Sequence, residues 1–252
     1  MTERHNRILE TLAENQRLEV AALANILDVS QVTVRKDLDR LEEWGLIRRE
    51  HGVALFGGDY DDVGRRMAYH YDVKRRIAQA AADLVEEEET VMIESGSCCA
   101  ILAEVLSNTK RNITIITNSA FIASHIRHAP YARVILLGGE YQTQSQVLVG
   151  SMTRRCAEVF CSDKFFIGTD GFNERFGFTG RDHMRSQTVR DMAEQARQIM
   201  VLTESEKFHQ QGLEVIVRTE DVSMVFTDDK IPEDKEMFLR QNGVKVYRTS
   251  VR

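Results

Sequence analysis

The stretch DVSQVTVRKDLDRL at residues 28–41 repeats its apolar residues at the helical period. Val34, Leu38 and Leu41 fall at i, i+4 and i+7, which makes one buried stripe on a helix from Gln31 to about Glu43. Ser30 stands at the N-cap position, where its hydroxyl can accept an orphan amide of the first turn. The opposite face collects Val32, Arg35, Lys36, Asp39, Arg40 and Glu43, with Thr33 at its edge. Two segments before it can supply the facing core. RHNRILETLAEN places Ile8, Leu9 and Leu12 on one side of a first helix, and EVAALANIL places Val20, Leu23, Ala24 and Leu27 on a second. The turn DVS joins the second helix to the third. After them, WGLIRREHGVALFGG predicts a helix stop at Gly45 and two short β runs, with Arg48, Arg49 and His51 between them.

Beyond residue 72 the pattern changes. Short apolar runs (TVMIE, ITIIT, RVILL, KFFIG, QIMVLT, VSMVFTD, VKVYR) alternate with helical segments such as VKRRIAQAAADLV, AILAEVL and AFIASHIR. Further helices are expected around 188–197 and 233–241. Such alternation predicts a mainly parallel α/β sheet. The intervening GGDYDDVGRRMAYHY has glycines but no clear period, and it reads as a hinge. The expected domains are therefore 1–57, a hinge at 58–72, and 73–252.

Composition narrows the class. Hydrophobic residues are 42% and charged residues 29%, as in soluble globular proteins. The longest apolar runs are too short for a bilayer, and the charged N-terminus lacks a signal-peptide core. A cytoplasmic location without membrane association is expected, with the four cysteines as free thiols. The formal net charge of −6 argues against non-specific coating of nucleic acid. Residues 1–57 also carry more acids than bases, so any nucleic-acid binding there would have to come from placement and from pairing of copies.

Helix, short turn, helix is a DNA-reading arrangement, with the second helix of the pair in the major groove. The N-terminal half of the outer face fits that use. Gln31, Val32, Thr33, Arg35 and Lys36 offer donors, acceptors and one apolar contact for base edges. Arg48, Arg49 and His51 of the wing can meet phosphates. A small helical domain with a solvated mixed-charge face is the alternative reading of the same pattern.

The run VSQVTVRKDLDRLEEWGLIRREHG resembles the signature of the DeoR family of bacterial sugar-metabolism regulators. The resemblance lies at Val29, Ser30, Thr33, Val34, Arg35, Asp37, Leu38, Leu41, Gly45, Arg49, His51 and Gly52. It extends over about residues 3–248. The family usually carries a second glycine after its His-Gly pair, where this chain has Val53. The resemblance implies a fold of two parts: an N-terminal winged helix-turn-helix, and a C-terminal α/β sheet domain resembling ribose-5-phosphate isomerase-like sugar-phosphate domains.

In an α/β sheet, ligands bind at the carboxyl ends of strands. ESGSCC at residues 94–99 joins a strand to a helix, and a small-residue turn there can aim amides at an anion. It resembles the family's phosphate loop of an acidic residue, Ser, Gly and three Thr. Ser97 keeps a hydroxyl, whereas Cys98 and Cys99 bring thiols, which are weak donors. Other strand ends offer Asn118, the pair Gly138 and Gly139, and the pair Asp170 and Gly171. The resemblance implies that Ser95, Gly96, Ser97, Asp170 and Lys207 line an effector pocket, with Lys207 as a point charge for phosphate. Neighbouring cysteines seldom converge on one ion, so no metal site and no cofactor are expected.

The resulting expectation is a DNA-binding transcriptional regulator, a repressor, of a carbohydrate operon. Its partners are double-stranded operator DNA, a phosphorylated sugar effector and further copies of itself as a homodimer or homotetramer. Two other classes fit parts of the chain. One is a sugar-phosphate isomerase with a regulatory N-terminal module, and the other is an effector-independent DNA binder. Catalysis is not expected: HMRSQTV at 183–189 has no acid where the family's helix usually opens with Glu, and Gln187 cannot act as a base.

Overall fold

A computed structural model describes residues 3–15, 17–43, 46–50, 52–56 and 63–250. It divides into two compact units, residues 1–71 and 72–252.

The first unit contains α1 (Glu3–Asn15), β1 (Arg17–Glu19), α2 (Val20–Leu27), α3 (Gln31–Glu43), β2 (Ile47–Glu50), β3 (Val53–Phe56) and α4 (Val63–Ala68). The helical stripes meet as their spacing predicts. Ile8, Leu9 and Leu12 of α1, Leu23 of α2, and Val34, Leu38 and Leu41 of α3 are fully buried together. Each such side chain stabilises the unit by about 1.5–3 kcal/mol relative to exposure. The helix stop after α2 is Asp28 in the left-handed region, at φ 54°. Ser30 Oγ then accepts the Thr33 amide at 3.2 Å and opens α3. The wing has three strands rather than two, in the order β1-β3-β2 and antiparallel throughout.

The expected hinge at 58–72 is not irregular where it is described. Val63, Gly64, Met67 and Ala68 are buried in α4, which packs on α1, and the next helix opens at Tyr71. The division between units falls after Tyr71, so α4 belongs with the head. A six-residue helix is too short to declare itself by period.

The second unit contains α5 (Tyr71–Ala82), β4 (Thr90–Ile93), α6 (Ser97–Thr109), β5 (Ile113–Thr117), α7 (Ala120–His125), β6 (Ala132–Leu136), β7 (Glu140–Gln142), β8 (Val147–Val149), α8 (Ser151–Ala157), β9 (Ser162–Ile167), β10 (Gly171–Asn173), β11 (Gly177–Gly180), α9 (His183–Ala193), β12 (Ala196–Leu202), β13 (Glu214–Val217), β14 (Val222–Asp228), α10 (Glu233–Gln241) and β15 (Lys245–Thr249). Seven strands form one parallel sheet in the order β15-β14-β12-β9-β4-β5-β6. These are the seven apolar runs of the sequence. α9 begins at His183, earlier than the expected 188, because Asp182 caps it by accepting the Arg185 amide at 2.8 Å.

The strand order fixes where a ligand can sit. The chain lays β4, β5 and β6 outward in one direction, then returns to place β9 on the other side of β4. The carboxyl ends of β4 and β9 therefore flank a topological switch point, the place where open α/β sheets generally bind ligands.

Candidate nucleic-acid interface and effector crevice

The outer face of α3 is open. Gln31, Val32, Arg35 and Lys36 are exposed, Val32 at 61%, and Thr33 is half-buried. Thr33 is engaged locally, its hydroxyl 2.9 Å from that of Ser30. On the wing, Arg48 is exposed, but Arg49 is committed to α3. Its guanidinium pairs with Asp39, and its amide donates to Glu42 Oε1 at 2.9 Å. His51, the last wing residue expected to touch DNA, lies outside the described residues.

Asp37 was not expected to be special, yet it is buried in α3. It accepts from Arg4 and from the buried His5 of α1, at 3.1 and 3.2 Å on Oδ1. The signal was present: Asp37 lies three residues after Val34 and four before Leu41, inside the apolar stripe.

At the switch point, Glu94 organises the loop after β4. Its Oε2 accepts from Gly96 N at 2.7 Å and from Gly168 N, past β9, at 3.0 Å, while its Oε1 accepts the Ser95 hydroxyl at 2.8 Å. The Gly96 amide is thus already engaged. α6 makes its first helical bond from Ala100 N to Gly96 O, so the amides of Ser97 and Cys98 stand ahead of the ladder at a positive helix end. A side chain at Gly96 would come 3.0 Å from Glu94 Oε2 and 3.3 Å from Gly168 Cα, so glycine permits the close approach of the two loops.

Other expected residues have structural work. The Asn118 carbonyl accepts the Leu148 amide at 2.8 Å, and its side-chain nitrogen donates to Leu148 O at 3.1 Å; its Oδ1 is buried without a partner. A Cβ on Gly139 would fall 2.0 Å from Thr153 Oγ1, and one on Gly171 would fall 2.4 Å from Gln210 O. A Cβ on Gly138 would sit at ordinary contact distance, 3.5 Å, from Cys156 Sγ. These glycines are explained by, or compatible with, protein packing rather than approach to a ligand. Asp170 Oδ2 accepts the Arg181 amide at 3.0 Å, and Lys207 Nζ lies 3.0 Å from Glu206 Oε1.

A further cation joins this end of the sheet. Lys74 of α5 is buried and lies 2.8 Å from Glu204 Oε2, just past β12. Burial pushes the Cys98 thiol up to about 12, with the charges of Glu204, Lys74, Lys207 and Asp228 acting on it as well. Cys98 is therefore a neutral thiol wall among charged neighbours, not a thiolate. The sequence signal for Lys74 was its place on the apolar stripe of Ile77, Ala78 and Ala81.

A winged helix-turn-helix head followed by a separate parallel-sheet domain defines a DNA-binding regulator with a second, α/β domain. A family model described as the DeoR-like helix-turn-helix domain matches residues 4–57, and one described as the DeoR C terminal sensor domain matches residues 69–229. The chain belongs to the DeoR family of transcriptional regulators. Among its relatives, a putative aga operon transcriptional repressor of Escherichia coli O157:H7 is 28% identical over 97% of this chain and 93% of its own length. The glycerol-3-phosphate regulon repressor of Escherichia coli K12 is 28% identical over 97% of this chain and 98% of its own. Among solved structures, a D-ribose-5-phosphate isomerase bound to phospho-erythronic acid aligns with a TM-score of 0.41 at 14% identity, over 55% of this chain and 54% of that one.

Proposed function

We propose that this protein represses a carbohydrate-metabolism operon and that a phosphorylated sugar or related metabolite, bound at the β4–β9 switch point, sets its affinity for the operator. The observation that carries the reading is a gathering of groups suited to an anion. Helix amides of Ser97 and Cys98 and the cations Lys74 and Lys207 gather at the same end of a parallel sheet. Ser95, Gly96, Ser97, Cys98, Asn118, Gly138, Gly139, Asp170, Gly171 and Lys207 form the proposed set around it. Gly96, Gly139 and Gly171 act by letting loops close rather than by touching the ligand.

On the head, Gln31, Val32, Thr33, Arg35 and Lys36 read base edges, and Arg48 and His51 meet the backbone, joined by Arg49 where it leaves Asp39. Half-sites one helical turn apart, about 34 Å, require paired recognition helices, so the working form is a homodimer or homotetramer. Control is by linkage: the effector favours one arrangement of heads over another and shifts operator affinity by that difference. An isomerase has less support. Asp170 is tied to a backbone amide, and Gln187 donates to Asp191 Oδ1 at 2.9 Å, so neither is poised as a free base.

Thermal unfolding of the full chain against a panel of sugar phosphates and matching free sugars tests the sensor. Ligand bound to the native state raises the midpoint by mass action. A shift with one phosphorylated compound and none with its free sugar is expected. No shift across the panel would remove the phosphorylated-sugar reading. Arg35→Ala tests the head: specific operator binding should be lost while the effector response stays. Unchanged operator affinity would remove α3 as the reading helix.

A further inference from the structure

Lys74 and Glu204 are both nearly inaccessible, with side chains 2% and 7% exposed. A buried ion pair gives little net stability compared with a packed apolar pair, so stability alone does not account for it. Its position is more telling. Lys74 comes from α5, Glu204 follows the carboxyl end of β12, and both act electrostatically on Cys98 in the first turn of α6. The ammonium is thus within electrostatic reach of the helix end where an anion is favoured. Lys207 is less suited to that task. It is 26% exposed and lies against its neighbour Glu206, so solvent screens it.

We propose that Glu204 is a resident competitor for Lys74: it holds the ammonium in the empty sensor, and the effector's phosphoryl or carboxyl anion takes that ammonium from it. The proposal rests on the effector crevice described above and adds its charge gate. An anion gains Lys74 only at the expense of the 2.8 Å pair. A neutral sugar offers nothing in exchange and leaves the pair closed. The gate therefore separates phosphorylated from free sugars before any hydroxyl is read. It also reaches α5, the helix that opens at the boundary between the two units.

Calorimetric titration of the full chain with inorganic phosphate reads the exchange without an identified effector. Glu204→Gln removes the competing charge and keeps the shape, and its phosphate affinity should rise about tenfold, equivalent to about 1.4 kcal/mol. Glu204→Asp, which withdraws the carboxylate by one methylene, should move the same way by less. Lys74→Met combined with Glu204→Gln replaces the pair by neutral groups and should abolish phosphate binding. Unchanged or weaker binding by both Glu204 variants overturns the competition. Phosphate binding retained by the double variant overturns the role of Lys74. A wild type that responds to a sugar phosphate, with no gain in Glu204→Gln, sinks the gate alone. A wild type and a Glu204→Gln variant that both ignore phosphate and the whole panel sink the gate together with the effector reading.

Discussion

Asp37 Oδ1 lies 3.2 Å from His5 Nε2, so α3, the proposed DNA-reading helix, is clamped to α1 by a buried carboxylate. Arg4 grips the same carboxylate through two nitrogens. Burial pushes His5 below its ordinary 6.5 and favours a neutral ring, which donates to Asp37. Burial pushes Asp37 up, but the hydrogen bond and charge of Arg4, with the help of His5, hold it below 3.8. Both folded-state values are depressed. Each group therefore contributes stability above its unfolded pKa and loses it as pH falls through the folded value. The head should weaken in two stages on acidification, the first setting in below about 6.5 and the second below about 3.8. Urea unfolding at a series of pH values, read by the single tryptophan, Trp44, checks this. His5→Gln should remove the first stage, and an unaltered pH profile in that variant would rule the clamp out as its source.

The same pair shows what the sequence could and could not disclose. All seven strands of the parallel sheet were legible: the central ones, such as β4 and β5, are buried on both faces and read as continuous apolar runs, and the partly exposed edge strands β6 and β15 keep short apolar runs. The helices of the head were legible because their stripes are long enough to show a period. Asp37 and Lys74 were harder. Each sits on an apolar stripe, where a charge breaks the pattern and signals a buried partner, yet neither pattern names that partner. Arg4 and His5 lie 33 and 32 positions from Asp37, and Glu204 is farther still from Lys74. The small sheets β7-β8 and β10-β11-β13 were illegible for another reason. Strands of three or four residues are too short to show an alternation, and in β10 and β11 Gly171 and Gly177 serve backbone approaches that only the fold creates.

Arg49 has a measurable cost for being paired within the head. Its guanidinium is held by Asp39, whose side chain is 64% exposed, so the pair is weak and salt-sensitive. Asp39→Asn should release Arg49 towards phosphate and remove one repulsive charge from the side proposed to meet DNA. Operator and non-specific DNA should both bind more tightly at low salt, and the slope of log K against log salt should steepen by about one. Fluorescence anisotropy over a salt series measures the slope. An unchanged slope would mean that Arg49 has no phosphate within reach.

The thiols should differ sharply in reactivity. Cys161 is exposed, whereas Cys98 and Cys99 are buried, and burial holds Cys98 at about 12. The thiolate is the reactive form. In the native protein at pH 8, a disulfide reagent should titrate Cys161 quickly and leave Cys98 and Cys99 untouched until denaturant is added. Peptide mapping assigns the sites. Rapid native labelling of Cys98 would contradict its burial and the neutral wall it gives the crevice.

Glu94 is the residue on which the proposed effector site depends most directly. One carboxylate satisfies two amides, Gly96 and Gly168, and the hydroxyl of Ser95, so it ties the loop after β4 to the loop after β9 across the switch point. Glu94→Ala strips three donors of their acceptor at once, in a place where water enters only in part. The expected loss is about 2–4 kcal/mol of sensor stability, seen as a lower urea midpoint. Glu94→Gln keeps one acceptor oxygen and the shape, and should lose about half as much. The two variants also separate stability from function. If Glu94 sets the spacing of the loops, both should lose the stabilising response to the effector, including Glu94→Gln at temperatures where it is fully folded. If Glu94→Gln responds normally, hydrogen bonding by the remaining oxygen suffices and the full charge is dispensable. If Glu94→Ala matches the wild type in both measurements, the staple does not hold the crevice open, and the Ser97 and Cys98 amides must be positioned by α6 alone.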